Sequence, residues 1–326
     1  MKIFITRHIP EPGLQLLREA GIEFTAHTEK RNLTPEELIE GCRGVDALLS
    51  VGGNKLNAEF LQASRHLKVI ALMSAGYDNL DVDTATALGI PVGNTPGVLS
   101  NATADTAFLL MLAVSRKAFF MHKTIEKGDW GFFDPTANLG MELNGRTLGV
   151  FGMGSIGTAL ARKCRGAFDM PVIYHNRSRN VAAEKELGAK YVSFDELLAQ
   201  SDVLSVHAAL TPQTEGVFNA AAFRKMKPKS IFVNAARGAM HNEDDLLEAL
   251  RSHQIWGAGL DVTNPEPMDK HNLLLQMPNV AVLPHIGSAT EEARGGMARM
   301  AAENIIAGLK GEPLPHPINK VPPRTA

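Results

Sequence analysis

The 326-residue sequence has few cysteines, no long apolar run and no excess of charge of either sign. Two cysteines, Cys42 and Cys164, cannot build a disulfide framework or a four-cysteine zinc site, and we predict no metal ligands. The longest unbroken apolar stretch, 107–114, is far too short to span a bilayer. The net charge of −2, from 33 Lys and Arg against 35 Asp and Glu, argues against a nucleic-acid-binding protein.

The amino-terminal segment MKIFITRHIPEPG also lacks the features of a secretory signal. Its apolar run is short and is followed at once by Pro10 and Pro12. The chain length predicts about two domains, and a hydrophobic fraction of 44% is ample for their cores. We therefore expect a cytoplasmic, globular, two-domain protein.

Short apolar runs alternate with amphipathic segments, which is typical of parallel α/β sheets. The first hundred residues predict strands at 2–6, 46–50 and 69–73, with helices near 13–20, 35–42 and 58–63. A second series predicts strands at 148–151, 172–175, 203–206, 231–234, 255–260 and 280–283. One long helix is predicted from 101 to about 127, ending at Gly128, and another at 291–309. The proline-rich tail after it (Pro313, Pro315, Pro317, Pro322 and Pro323) predicts no regular structure.

A glycine-rich turn follows the apolar run at 148–151 and precedes a helical pattern. Gly152, Gly154 and Gly157 form the pattern G-x-G-x-x-G. The first glycine suits a tight turn, the second lets backbone approach a pyrophosphate, and the third permits close helix–strand packing. The helix then presents its free N–H groups to the anion. The residues predicted to bind a dinucleotide are Gly152, Met153, Gly154, Ser155, Ile156 and Gly157.

The next predicted strand ends in HNRSR, about 20 residues after the glycines, where NAD enzymes usually carry a carboxylate for the ribose 2′-OH. Asn176 occupies that place, followed by Arg177, Ser178 and Arg179. A carboxylate would repel a 2′-phosphate, whereas a guanidinium and a hydroxyl can bind one. We therefore expect Asn176, Arg177 and Ser178 to favour NADP(H) over NAD(H). The alternative interpretation makes both arginines solvated loop cations.

Three polar residues lie just past apolar runs, where an open parallel sheet places its active site: Arg237 in NAARG, Glu266 in DVTNPEP and His285 in LPHIGSAT. Histidine is the natural proton donor near neutral pH, and a neighbouring carboxylate favours its charged form. An arginine fork matches a planar carboxylate. The set suits reduction of a 2-keto acid, with Arg237 binding the carboxylate and His285 protonating the oxygen.

Each of these residues alone has a simpler interpretation. Arg237 could be a surface cation, and Glu266, between Pro265 and Pro267, a loop carboxylate. His207 is a competing proton donor because it also ends an apolar run, although no Gly-Ser pair follows it. The catalytic hypothesis depends on the three residues occurring together behind a dinucleotide site.

The motifs GMGSIG, NAARG, GLDVTNPEP and LPHIGSAT resemble, in order and along nearly the whole chain, those of the D-isomer-specific 2-hydroxyacid dehydrogenases. The segments FITRHIPEPG, SAGYDNLD and GLKGEPLP are most similar to the glyoxylate/hydroxypyruvate reductases of that family. The resemblance implies that His285 is the proton donor, Glu266 its orienting partner and Arg237 the anchor of the substrate carboxylate.

The resemblance also implies further binding residues. Backbone N–H groups of two glycine-containing segments would bind the substrate carboxylate, as turn amides can do; these segments are Val51, Gly52 and Gly53, and Ala75 and Gly76. Asp261 would contact the nicotinamide carboxamide, and Ala235 would line the nicotinamide pocket with Gly287 nearby. Thr211 and Pro212 would border the adenosine end.

The implied fold is two doubly wound parallel-sheet α/β domains, with a Rossmann-type cofactor domain (101–288) inserted into a flavodoxin-like substrate domain (1–100 and 289–326). The family dimerises through the segment from Asn101 through the 130–141 loop, where exposure of Phe132 and Phe133 would be unfavourable in a monomer. A homodimer is therefore expected.

The leading hypothesis is an enzyme that reduces glyoxylate to glycolate and hydroxypyruvate to D-glycerate with NADPH, without nucleic-acid or membrane partners. One alternative is an NAD-dependent dehydrogenase of another D-2-hydroxy acid, such as lactate, phenyllactate or phosphoglycerate. The other is a non-enzymatic NAD(P)H sensor similar to the transcriptional corepressors that share this fold.

Overall fold

The structure, a computed structural model, describes residues 1–321. These residues form two compact units: Ser100–Ser288 is one, and Met1–Leu99 together with the described residues from Ala289 onward is the other. Pro322 and Pro323 of the tail lie outside the described residues. Within the described part of the chain, no helix has both the length and the apolar character needed to cross a membrane.

The first unit contains a five-stranded parallel sheet. Its strands are β1 (Lys2–Ile5), β2 (Glu23–Ala26), β3 (Ala47–Ser50), β4 (Val69–Leu72) and β5 (Val92–Gly93). Its first helices are α1 (Glu11–Glu19), α2 (Pro35–Gly41), α3 (Ala58–Ala63) and α4 (Val82–Ala87). The strand order β2-β1-β3-β4-β5 is that of the flavodoxin-like folds, as expected.

The second unit begins with α5 (Ser100–Ser115) and α6 (Ala118–Glu126) and then builds a seven-stranded parallel sheet. Its strands are β6 (Leu148–Phe151), β7 (Val172–His175), β8 (Lys190–Tyr191), β9 (Val203–Val206), β10 (Ile231–Asn234), β11 (Gly257–Leu260) and β12 (Val280–Val282). The helices between them are α7 (Ser155–Phe168), α8 (Val181–Leu187), α9 (Phe194–Gln200), α10 (Ala220–Lys225) and α11 (Glu243–Arg251). The order β12-β11-β10-β9-β6-β7-β8 reverses direction at β6, as in a Rossmann sheet.

The prediction of one helix from 101 to 127 was wrong, because the chain breaks between α5 and α6. Lys117 has a left-handed φ of 54°, which ends regular α-helix geometry. The carbonyl of Ser115 accepts a hydrogen bond from the Met141 amide at 2.9 Å. The backbone of a distant loop thus caps the end of α5, a contact that local helix periodicity cannot reveal.

The last helix, α12 (Glu291–Leu309), belongs to the first unit. It is rich in small residues, so neighbouring backbone approaches closely: a Cβ added to Gly13 of α1 would lie 2.6 Å from the carbonyl oxygen of Ala298. Buried Asn304 donates to the carbonyl of Asn94 at 3.0 Å and accepts from the amide of His316 at 3.1 Å. These bonds hold the tail beside β5, where Pro317 and Gly93 form an isolated antiparallel bridge.

Candidate active site

The three predicted catalytic residues follow three adjacent strands of the second unit. Arg237 lies just after β10, Glu266 after β11 and His285 after β12. All three strands are parallel, with β11 paired to both of its neighbours. Their carboxyl ends therefore meet at one edge of the sheet, and the loops that leave this edge carry the three side chains.

The structure brings His285 and Glu266 into direct contact. Nδ1 of His285 lies 2.5 Å from Oε1 of Glu266, and both side chains are about half exposed (46% and 42%). The hydrogen bond from Glu266 raises the pKa of His285 above its usual range, and the charges of Glu266 and Asp261 act in the same direction. Desolvation and the positive charge of Arg237 oppose this increase in the pKa. The imidazolium is therefore favoured, with Nε2 as its second N–H donor.

The turn that carries His285 is held by Asp261, at the end of β11. His285 has a left-handed φ of 52°, and its amide donates to the carbonyl of Asp261 at 2.8 Å. The two carboxylate oxygens of Asp261 accept from the amides of Ile286 and Gly287, both at 2.8 Å. Burial raises the pKa of Asp261, whereas these two amides lower it.

Asp261 was expected to contact the nicotinamide carboxamide, and its role in holding the His285 turn was not foreseen from the sequence. Thr103 of α5 was also missed: its Oγ1 donates to the carbonyl of Gly287 at 3.1 Å. A single aspartate after an apolar run gives no signal that it will bind amides 25 and 26 residues later in the chain. The carboxamide contact stays a prediction.

Arg237 lies on a turn packed against the backbone that leads to Glu266. Its Nη1 donates to the carbonyl of Ala236 at 2.7 Å, and the side chain is partly buried. The following residue, Gly238, would place an added Cβ only 1.9 Å from the carbonyl oxygen of Thr263. Only glycine permits this approach, so the Arg237 turn and the chain preceding Glu266 are held together.

His207 occupies a different environment. Its Nε2 lies 2.8 Å from Oγ of Ser205, and desolvation lowers the pKa of His207 to about 4. A neutral imidazole of this kind is a poor proton donor at neutral pH. The electrostatics of the site therefore favour His285 over His207 as the acid.

The glycine turn has the geometry that the motif predicts. Gly152 has a φ of 102°, and an added Cβ would lie 2.3 Å from the amide nitrogen of Ala208. An added Cβ on Gly157 would lie 2.5 Å from the carbonyl oxygen of Gly152, so helix α7 packs tightly on the turn. At Gly154 an added Cβ would meet open space, and this residue is the N-cap of α7. The helix thus offers an exposed amino terminus, with Ser155 exposed and Ile156 partly buried, to a phosphate group.

Asn176, at the end of β7, holds this turn. Its Oδ1 accepts from the amide of Met153 at 2.7 Å, and Nδ2 of Asn180 donates to the Met153 carbonyl at 2.8 Å. Arg177 and Ser178 are exposed beside it. Arg179 instead forms an ion pair with Glu184 at 2.6 Å, and that contact helps lower the pKa of Glu184 to about 2. Of the two arginines, Arg177 is therefore the better placed to meet a phosphate.

The remaining cofactor candidates also lie on loops at the carboxyl ends of strands. Thr211, after β9, donates its amide to Oγ1 of Thr214 at 2.8 Å, and Pro212 follows it in the same turn. Ala235, after β10, and Gly287, after β12, are both buried. These residues thus lie beyond the carboxyl ends of β9, β10 and β12, the edge at which open parallel sheets bind ligands, and their contacts with a dinucleotide stay a prediction.

The expected substrate loops belong to the first unit. Val51, Gly52 and Gly53 follow β3, whereas Ala75 and Gly76 come shortly after β4. The amide of Val51 donates to Oγ1 of Thr6 at 2.8 Å, so this N–H group is already used within the unit. Gly52 has a φ of 81° and is exposed together with Gly53.

The chain is similar in sequence to known proteins over nearly its whole length. The family model described as "D-isomer specific 2-hydroxyacid dehydrogenase, NAD binding domain" matches residues 108–287. A glyoxylate reductase of Thermococcus litoralis is 43% identical over 323 residues, covering 98% of this chain and 97% of its own.

Two solved structures extend the similarity to the whole fold. A Thermus thermophilus protein superposes with a TM-score of 0.91 at 40% identity, covering 98% of this chain and 100% of its own. The NADPH-dependent glyoxylate/hydroxypyruvate reductase of Sinorhizobium meliloti, in complex with NADP and malonate, has a TM-score of 0.84 at 31% identity. That alignment covers 100% of this chain and 98% of the other.

Substitutions at two glycines of the glycine turn should have different effects on stability and on dinucleotide affinity. Gly152→Ala introduces strain at a positive φ and a clash with backbone, so we expect the free energy of unfolding to fall by about 2–4 kcal/mol. Gly154→Ala meets open space and should cost about 1 kcal/mol or less as a changed N-cap. Its Cβ would nevertheless obstruct a pyrophosphate, so dinucleotide affinity should fall about tenfold or more.

Denaturant unfolding and dinucleotide titration of both variants test this prediction. Equal stability losses in the two variants, or undiminished dinucleotide affinity in Gly154→Ala, would contradict it.

Proposed function

Because this chain belongs to the D-isomer specific 2-hydroxyacid dehydrogenase family, we propose that it reduces small 2-keto acids with NADPH as the hydride donor. The substrates that we propose are glyoxylate, giving glycolate, and hydroxypyruvate, giving D-glycerate. The names of the similar reductases of Thermococcus litoralis and Sinorhizobium meliloti support this choice. The observation that carries the proposal is the hydrogen-bonded pair of His285 and Glu266, with the charge of Arg237 close enough to influence it.

In the proposed reaction, bound NADPH supplies a hydride to the carbonyl carbon of the substrate. The carbonyl oxygen then gains the electron pair of the C–O π bond and takes a proton from His285. Glu266 orients the imidazole through Nδ1 and stabilises its charged form, which leaves the Nε2–H for the oxygen. In the reverse direction, neutral His285 would accept the proton of the hydroxy acid.

Arg237 is the proposed anchor of the substrate carboxylate. A guanidinium can bind a carboxylate through two parallel hydrogen bonds, which orients as well as attracts the substrate. We propose the backbone amides of Gly52, Gly53, Ala75 and Gly76, in the first unit, as further groups that bind the substrate carboxylate. The Val51 amide contributes less to this set, because it donates to Thr6.

The preference for NADPH rests on the residues that follow β7. Asn176 is uncharged and binds the Met153 amide, so no carboxylate stands there to repel a 2′-phosphate. Arg177 and Ser178 are exposed next to it and offer a cation and a hydroxyl. We propose that both contact the 2′-phosphate.

We further propose that the enzyme is a cytoplasmic homodimer. Trp130, Phe132 and Phe133 are exposed at 76%, 80% and 86%, an apolar group that association with a second copy would cover. Cys42 and Cys164 are both buried free thiols, which suits a reducing compartment.

Coenzyme preference is the first prediction of this proposal. With glyoxylate, kcat/KM should be about tenfold or more higher with NADPH than with NADH, since one charged phosphate contact contributes on the order of 1.5–3 kcal/mol. Arg177→Ala should remove most of that advantage and leave the NADH value unchanged. Lys185→Ala, which removes an exposed cation on the following helix, is the matched control and should change neither. Equal wild-type values with the two coenzymes would overturn the preference.

Loss of the proton donor is the second prediction. His285→Ala should lower kcat for reduction by a factor on the order of 10² to 10⁴, with dinucleotide affinity retained. The control His271→Ala removes an exposed histidine of the same unit and should keep the wild-type kcat. An unchanged kcat in His285→Ala would reject this residue as the acid, and a large loss in His207→Ala would then transfer the role.

A further inference from the structure

A buried amide at the end of β10 connects three points of the turn that carries Arg237. Asn234 is fully buried, and its Nδ2 donates to the carbonyl of Arg237 at 2.9 Å. Its Oδ1 accepts from the amide of Ala236 at 3.0 Å. The same Nδ2 lies 3.0 Å from Nδ1 of His241, at the far end of the turn. Both amide hydrogens and the carbonyl oxygen of Asn234 therefore have partners in the turn.

His241 is the acceptor that completes this arrangement. It is 2% exposed, and its ring packs edge-on against Phe232 of β10 at 5.9 Å between centroids. Burial lowers the pKa of His241 to about 4, so its ring is neutral at neutral pH. Because Nδ2 of Asn234 can only donate, Nδ1 of His241 is the accepting nitrogen and Nε2 carries the hydrogen. The backbone around it is also fixed, since the amide of Asn242 donates to the carbonyl of Phe218 at 3.0 Å.

The turn has little freedom on its other side. Gly238, directly after Arg237, contacts the carbonyl of Thr263 so closely that a Cβ cannot fit. The backbone of Arg237 is thus held between the Asn234 amide and the chain that leads to Glu266. The Arg237 side chain is long and has several rotatable bonds. The position that its guanidinium reaches therefore depends on how firmly the backbone of Arg237 is held.

We propose that Asn234 and His241 are positioning residues for substrate binding: together they fix the Arg237 turn so that its guanidinium meets the substrate carboxylate. The proposal rests on the proposed function of Arg237 as the carboxylate anchor. Neither residue contacts a reacting atom, so both act through Arg237. Their loss should weaken binding of the keto acid more than it slows the chemical step or weakens binding of the dinucleotide.

The matched pair His241→Asn and His241→Leu tests this role. The asparagine and leucine side chains have the same number and branching of heavy atoms, and both replacements remove the ring, so both variants should lose stability. Asparagine places an oxygen at the position of Nδ1 and can still accept from Asn234, whereas leucine places a methyl group there. We expect His241→Leu to raise KM for glyoxylate about 5- to 20-fold over His241→Asn, with kcat and dinucleotide Kd within about threefold. Equal KM values in the two variants would overturn the proposal.

A double-mutant cycle with Arg237→Ala separates this proposal from the function on which it rests. Arg237→Ala alone should raise KM for glyoxylate about 10- to 100-fold, and His241→Leu should add little to it. If Arg237→Ala leaves KM unchanged, the anchor role itself fails. If it raises KM but the effect of His241→Leu simply multiplies, the positioning role fails while the anchor role stands.

Asn234→Leu supplies an independent test, with Asn304→Leu as its matched control. Both asparagines are fully buried, and each donates to one backbone carbonyl and accepts from one amide. Asn304 lies on α12 and belongs to the first unit, whereas the Arg237 turn belongs to the second. Both variants should unfold at lower denaturant concentration, but only Asn234→Leu should raise KM for glyoxylate. A similar KM increase in both would contradict the proposal, and the His241 pair decides it if Asn234→Leu does not fold.

Discussion

The hydrogen bond between His285 and Glu266 is the contact on which the proposed chemistry of this chain depends. An isolated imidazole is mostly neutral above its ordinary pKa, so it is a weak acid catalyst at physiological pH. The carboxylate at 2.5 Å raises the pKa of His285 and fixes which ring nitrogen remains available. One interaction thus sets both the charge and the orientation of the proposed proton donor.

Other contacts in the second unit fix the loops that carry His285, Glu266 and Arg237. Parallel strands β10, β11 and β12 bring the three loops to one edge, and Asp261 binds the amides that follow His285. Gly238 lets the Arg237 turn touch the backbone before Glu266. Each of these contacts involves a backbone hydrogen bond or a close backbone approach, and such contacts are more rigid than those between long side chains. The site is therefore built on rigid strand ends, although its residues lie in loops.

Much of the fold could be predicted from the sequence, because parallel strands buried on both faces are continuous apolar runs. The strands predicted at 148–151, 172–175, 203–206 and 231–234 are examples, and the structure has β6, β7, β9 and β10 there. The failures have physical causes as well. Strand β2 is half exposed and β5 and β8 have two residues each, so they carry little apolar signal. The break at Lys117 depends on Met141, which local periodicity cannot include.

The candidate site likewise has residues that the sequence predicted and contacts that it did not. His285, Glu266 and Arg237 could be found because each follows a recognisable strand. Two hydrogen bonds could not be predicted in this way: Asn234 to His241, and the Gly287 amide to Asp261. Both depend on distances in space that no sequence spacing encodes. Family membership is shown by full-length similarity. The roles of individual residues have to be argued from contacts.

The pH dependence of kcat for glyoxylate reduction, compared between the wild type and Glu266→Gln, tests the central contact most directly. A raised pKa keeps His285 protonated to higher pH, so wild-type activity should be full at low pH and decline as pH rises through that pKa. Glutamine is nearly isosteric but uncharged, so it removes the negative charge that strengthens this hydrogen bond and helps raise the pKa of His285. We therefore expect the alkaline decline to move to lower pH in Glu266→Gln. Coincident declines in the two enzymes would show that Glu266 does not control the proton on His285, and would contradict the account.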